Sequence, residues 1–352
     1  SMEPAALSQP LSLSAQTAYA EAYEQSQATE LAGLSIYRGT FHERTIKGHR
    51  YVYFGYRDPL GDRQRRIYIG PASERIRKII EKLSDRQPLH RLVPSARAAI
   101  ELGCAHTMPK HFRIIQQIAS YGFFRAGGVL LGTHAFVVMG NMLGVRWINA
   151  AATLDVDFAH AGRNISIALP TDVQLSVHDA LTSLEMGLLP AVDLSGAISG
   201  QYRNPSDPEL RVDFLTPQLR QKQGPILVKE LGVALEPIKF MEYPLEGVAH
   251  CAAISSAGAC VVNIPSPHRF AVHKLIVSAE RDIAHRTKAL KDVDQAAALI
   301  DWAHRYNAEP DFNEAWRDAL ERGPGWRRRA TRGQKALLAK YPQLRLPRLW
   351  RT

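Results

Sequence analysis

Between Gly127 and Phe158 the chain reads GGVLLGTHAFVVMGNMLGVRWINAAATLDVDF. No other stretch limits the fold as tightly, because it demands a strand, a tight turn, a helix and a second strand in succession. Val129, Leu130 and Leu131 form a short apolar run that reads as a buried strand. Gly132-Thr133 follow, and a helix starting near His134 carries Ala135 to Met142. Gly132 lets the backbone approach a bound group closely. The helix N-terminus behind it offers free N–H groups and the positive end of a dipole, which suits a phosphate. In Leu154-Asp155-Val156-Asp157-Phe158 apolar and acidic residues alternate strictly. On a strand this sets Asp155 and Asp157 on one face and Leu154, Val156 and Phe158 on the other.

Two neighbouring carboxylates repel, so something must offset them. Mg²⁺ (or Mn²⁺) is the expected partner, since it takes carboxylate oxygens and fills its other positions with water and substrate phosphates. A third carboxylate, Asp213, sits among strand-type apolars in Leu210-Arg211-Val212-Asp213-Phe214-Leu215-Thr216-Pro217. If the two strands are neighbours, three carboxylates face one cleft. That set suits two metals, one on the triphosphate of an NTP and one activating an attacking hydroxyl.

On these residues (Gly132-Thr133, Asp155-x-Asp157 and Asp213) the chain resembles the DNA polymerase β-like nucleotidyltransferase superfamily. The Gly132-Thr133-His134-Ala135-Phe136 start resembles the bacterial branch that holds AbiEii- and MenT-type toxin nucleotidyltransferases. Thr133 stands where Ser or Gly is usual, and the gap from turn to D-x-D is long. The resemblance covers roughly residues 122–300. It implies an α/β (α+β) fold with a mixed-sheet core, an NTP substrate and a divalent metal on Asp155, Asp157 and Asp213. It also implies a helix Lys, then an Arg, then D-x-x-D completing the nucleotide site. Lys274 matches the Lys, Arg281 or Arg286 the Arg, and Asp292 the first Asp; Gln295 replaces the second. Gly132, Thr133, His134, Lys274 and Asp292 are thus the expected nucleotide-binding residues. A capping or packing role for His134, and a helix-surface salt-bridge network of Lys274 and Asp292 with Lys288 and Lys291, are the alternatives. The resemblance further suggests a toxin or phage-defence role with an antitoxin protein as partner.

The chain of 352 residues carries a net charge of +10, and its distribution is uneven. From Arg322 to Thr352 there are ten Lys/Arg and no Asp/Glu. A basic tail over 322–352 is expected to meet a polyanion, with Arg327, Arg328, Arg329, Arg332 and Lys335 as nucleic-acid contacts. A solvated tail that aids solubility is the alternative, and Trp326 and Trp350 either stack on bases or anchor the tail. Three cysteines (Cys104, Cys251, Cys260) and no C-x-x-C argue for buried free thiols in a reducing compartment, hence a cytoplasmic location. No secretory signal and no membrane span is visible.

The remaining segments divide the chain further. Residues 1–34 are read as an N-terminal helix or mobile segment, with the helix over Thr17–Leu34. Residues 35–120 hold an antiparallel meander (strands at 34–38, 51–56 and 66–70) and helices over 73–87, 93–102 and 109–120. Its tyrosines mingle with Arg44, Lys47, Arg50, Arg57, Arg63, Arg65 and Arg66, a mix that suits RNA. Packing of the same aromatics on the following helix is an equal alternative. The nucleotidyltransferase core spans 121–264. It includes an alternating segment at 164–169, a helix over 176–186, a polar loop over 202–208 and strand-like runs at 226–237 and 240–245. A hairpin pairs 248–254 with 259–264 across Ser255-Ser256-Ala257-Gly258. A helical domain (265–321) completes the nucleotide site, and a short helix lies at 335–341.

The histidines lack metal-ligand spacing, and there is no G-x-S-x-G elbow. The P-loop and G-x-G-x-x-G patterns are absent as well. The expected activity is metal-dependent transfer of NMP from an NTP to a hydroxyl on RNA, such as a tRNA 3′ end. Transfer to a protein or small molecule, and an inactive nucleotide- or nucleic-acid-binding module, are the rivals. The oligomeric state is not legible.

Overall fold

The acidic-apolar alternation falls on a strand, Asp155–Ala159, inside a mixed sheet. In the computed structural model the described residues are 5–32, 39–57, 64–84, 92–148, 153–163, 165, 176–192, 194–220 and 224–345. Their elements run β1 (Ser8–Pro10), α1 (Leu13–Ala32), β2 (Gly39–Ile46), β3 (His49–Arg57), β4 (Gln64–Pro71), α2 (Glu74–Ser84), α3 (Leu92–Glu101) and α4 (Pro109–Ser120). Then come β5 (Val129–Leu130), α5 (Gly132–Leu143), β6 (Val145–Trp147), β7 (Asp155–Ala159), α6 (Val177–Ser183), β8 (Leu189–Val192), β9 (Ile198–Asn204) and β10 (Asp207–Pro217). The last third holds β11 (Ile226–Val228), β12 (Val233–Ile238), α7 (Glu242–Leu245), β13 (Val248–Ser255), β14 (Gly258–Pro265), α8 (Pro267–Glu280), α9 (Arg286–Arg305), α10 (Glu309–Glu321) and α11 (Pro324–Lys340).

The central sheet is ordered β11-β12-β10-β7-β5, with β9 pairing β10 and β8 pairing β9. β7 and β10 are parallel, and their register sets Asp157 beside Asp213. β5 is antiparallel to β7, so the chain leaves the sheet at Leu131 next to Asp157. Val156, Phe158, Val212 and Phe214 are fully buried beneath the strands. Phe158 and Phe214 stack at 5.3 Å, and Phe123 meets both edge-on. Each such ring contributes roughly 2–3 kcal/mol by burial. Apolar packing on this face therefore holds the acidic face in register.

The expected meander is present as β2-β3-β4. Val52, Phe54 and Ile69 pack with Ile76 and Ile80 of α2, while Tyr53 and Tyr68 are buried as well. Most of these aromatics are spent on packing rather than presented for stacking. The expected strand at 34–38 lies outside the described residues apart from Gly39 onward, where β2 begins. The segment at 164–169, apart from Ile165, and Trp350 also lie outside them.

Three local readings differ from the structure. Residues 202–208 are not a loop: β9 and β10 run into them, and only Pro205-Ser206 turn. Residues 240–245 are not a strand but a turn followed by α7, with Phe240 at φ 67°. Residues 324–340 are not a free tail but a helix. Pro324 opens α11, where its missing N–H costs nothing. Gly333 lies against α8 so closely that a Cβ would fall 2.2 Å from the Leu275 carbonyl oxygen. Trp326 packs on Phe240 at 4.7 Å and on Tyr243, anchoring the helix.

Candidate active site

The turn and the carboxylates meet as their spacing predicts. Gly132 opens α5 with φ at +64°, a conformation that favours glycine. A Cβ there would sit 2.8 Å from Asp157 Oδ2, so the carboxylate lies directly over the turn. The backbone seals the contact: the Leu131 N–H donates to the Asp157 carbonyl oxygen at 2.8 Å. Asp155 lies two residues along the same face, and Asp213 lies on the adjacent strand.

Electrostatics mark Asp157 as the centre of the cluster. Burial pushes its carboxyl up to about 7, and Asp213 and Asp155 push in the same direction. Lys274 and Lys288 offset only part of this. The other two carboxylates have cations of their own. Asp213 Oδ1 accepts from Arg203 Nη1 at 2.8 Å. Asp155 Oδ2 lies 3.7 Å from Lys288 Nζ. Among the described residues no three His, Cys, Asp or Glu side chains converge on one point. Asp155 and Asp157 remain the donor pair that fits a divalent ion. Asp213 stands beside Asp157 in the strand register, with its Oδ1 taken by Arg203. The fit rests on the donor set, two carboxylates on one strand face with Asp157 Oδ2 over the Gly132 turn.

The remaining expected residues are brought together on the helical side. Lys274 of α8 donates to Asp292 Oδ1 at 3.0 Å, and Arg281 Nε donates to Asp292 Oδ2 at 2.5 Å. Arg281, not Arg286, is thus the Arg of this cluster. Burial alone would raise the Asp292 carboxyl; Lys274 and Arg281 outweigh it and hold it below the usual range. Lys274 also lies over the Phe270 ring at 5.2 Å. Gln295, standing in the place of an Asp, donates through Nε2 to Thr133 Oγ1 at 3.0 Å. It ties α9 to the turn. His134 is buried edge-on to His111 at 4.9 Å, and burial pushes its imidazole down to about 3, so it is neutral. The structure therefore groups the Gly132-Thr133 turn, which follows β5, with Asp155 and Asp157 of β7 and Asp213 of β10. Lys274 and Asp292 join α8 to α9, and His134 is buried in α5.

The basic residues of α11 lie elsewhere. Arg327, Arg328, Arg332 and Lys335 are exposed, within roughly 140° of one helix face at 3.6 residues per turn. Arg329 points away from them and pairs with Glu280. Four residues escaped sequence reasoning as site members. Arg203 falls in the stretch read as a polar loop, Lys288 and Lys291 enter only as members of a helix-surface network, and Gln295 enters only as a departure from D-x-x-D. Their only signal is spacing, since 288, 291, 292 and 295 share one helix face.

A family model described as a nucleotidyltransferase matches residues 110–321, from α4 to the end of α10, and this chain belongs to that family. No curated protein and no solved structure matches the chain. The matched span holds the turn, all three carboxylates and the helical brace. The protein is a nucleotidyltransferase enzyme, for which NTP is the fitting substrate and a divalent metal the general requirement. No helix among the described residues is long and apolar enough to cross a membrane.

Proposed function

We propose that this nucleotidyltransferase moves NMP from an NTP onto a hydroxyl of RNA, such as a tRNA 3′ end, with Mg²⁺ or Mn²⁺ held by Asp155 and Asp157. The observation that carries the reading is the contact of Asp157 with the Gly132 turn, which joins a carboxylate pair to a phosphate-type helix start. The bound ion would neutralise the triphosphate and polarise the reacting groups. Gly132, Thr133 and the α5 N-terminus orient the phosphates. Asp213, once free of Arg203, accepts the proton of the acceptor hydroxyl. The acceptor oxygen bonds to the α-phosphorus, the bond to the bridging oxygen breaks, and pyrophosphate leaves. The helical stretch 265–321 closes the nucleotide site through Gln295 and Asp292.

Support for RNA comes from the exposed cations of α11 and of the meander (Arg44, Lys47, Arg50, Arg66). The resemblance to AbiEii- and MenT-type enzymes supports a toxin or phage-defence role. That role is tested by growth arrest on expression, relieved by Asp155→Ala and by a candidate antitoxin. The acceptor is tested by supplying each α-phosphate-labelled NTP with cell RNA or cell protein. Label in RNA is expected; label confined to protein would overturn the RNA acceptor.

A further inference from the structure

The Lys274 ammonium is spent on Asp292, so the cation facing an incoming triphosphate must come from elsewhere. One helix turn decides the matter. On α9, residues 288, 291, 292 and 295 fall at i, i+3, i+4 and i+7, a single face. Three of the four are engaged with neighbouring elements. Lys288 reaches Asp155, Asp292 takes Lys274 and Arg281, and Gln295 takes Thr133 of the turn. Lys291 sits between them. It is half-buried, and among the described residues its ammonium has no ion pair and no hydrogen bond. On that face Lys291 lies one turn from Lys288, which reaches Asp155, and one turn from Gln295, which reaches Thr133.

An unpaired ammonium in such a place is costly. Burial lowers its pKa, and Lys274 and Lys288 add repulsion that Asp155 and Asp292 only partly offset. A group kept under that cost, on a face otherwise fully engaged, is a vacancy for a polyanion. We propose that Lys291, seconded by Lys288, binds the β- and γ-phosphates of the NTP, while Lys274 is a positioning residue that fixes α9 through Asp292. The inference rests on the nucleotidyl-transfer reading and specifies its phosphate site. Lys288 is exposed on half of its side chain and held at only 3.7 Å, so it can leave Asp155 when a metal-bound triphosphate arrives.

The test is equilibrium dialysis with Mg²⁺, without acceptor. Each NTP is offered to the wild type, and the tightest-binding nucleotide is then compared as tri-, di- and monophosphate. Lys291→Ala should weaken triphosphate binding roughly 10- to 100-fold, the value of one charge-assisted contact. Diphosphate binding should weaken less, and monophosphate binding should not change. Lys291→Arg should restore most of the loss. The urea midpoint of Lys291→Ala should equal or exceed that of the wild type, because no native ion pair is removed. Unchanged triphosphate affinity in Lys291→Ala, an equal loss for all three nucleotides, or a lower urea midpoint would overturn the assignment while leaving nucleotidyl transfer intact. A wild-type protein that binds no NTP would overturn the transfer reading itself.

Discussion

Replacing Asp157 by Asn should make the metal-free protein more stable at pH 8, although it removes a residue at the centre of the site. The Asp157 carboxyl is raised from 3.8 to about 7 by burial and by Asp213 and Asp155. At ~1.4 kcal/mol per unit, a shift of about three units has a ceiling of roughly 4 kcal/mol. Asp157 keeps some contact with solvent, so about 2–4 kcal/mol is expected. The sign follows from linkage. A carboxyl with a raised folded pKa contributes stability that is full below the unfolded pKa and lost as pH rises through the folded pKa. Wild-type stability from this residue therefore falls between pH ~4 and ~7 and stays low at pH 8. Asn carries no such dependence. Urea unfolding with chelator at pH 4.5 and pH 8 should show a gap in favour of Asp157→Asn that opens only at the higher pH. Mg²⁺ should stabilise the wild type and not the variant. Equal midpoints at pH 8, or a less stable variant, would refute the description of Asp157 as a carboxyl raised by burial beside Asp213 and Asp155.

Other consequences are as direct. Gly132→Ala adds a Cβ at 2.8 Å from Asp157 Oδ2 in a left-handed backbone, and should cost about 1–3 kcal/mol in urea unfolding and nearly all transfer. Asp292→Ala strands Lys274 and Arg281 together without a counter-charge, and should lower stability by about 3–5 kcal/mol, far more than Lys274→Ala combined with Arg281→Ala would predict from surface pairs. Charge reversal of Arg327, Arg328 and Arg332 should abolish RNA binding at physiological salt in filter binding, with NTP affinity unchanged; unchanged RNA binding would remove α11 from the interface.

The sequence carried the parts of this site whose chemistry is local. The period-two pattern of Leu154–Phe158 and of the Asp213 strand placed three carboxylates on one face because side-chain alternation is a property of the strand alone. The turn at Gly132 was legible for the same reason. Contacts across elements were not. Asn204-Pro205 and Pro208 suggested a loop, yet two residues suffice for the turn, and the flanking strands carry Arg203 onto Asp213. The run of cations over 322–352 suggested a tail, but Pro at the first helical position starts α11, and Gly333 packs closely on Leu275. Gln295 gave no hint of Thr133, which lies 162 residues away in sequence.

Single-turnover transfer of an α-phosphate-labelled NTP to cell RNA in Mg²⁺ or Mn²⁺, with wild type beside Asp155→Ala, tests the carboxylate face most directly. Label should appear in RNA with the wild type, vanish with chelator, and fall by several orders of magnitude in a folded Asp155→Ala variant that still binds NTP. Metal-dependent labelling that survives Asp155→Ala would contradict the assignment of this carboxylate face as the active site.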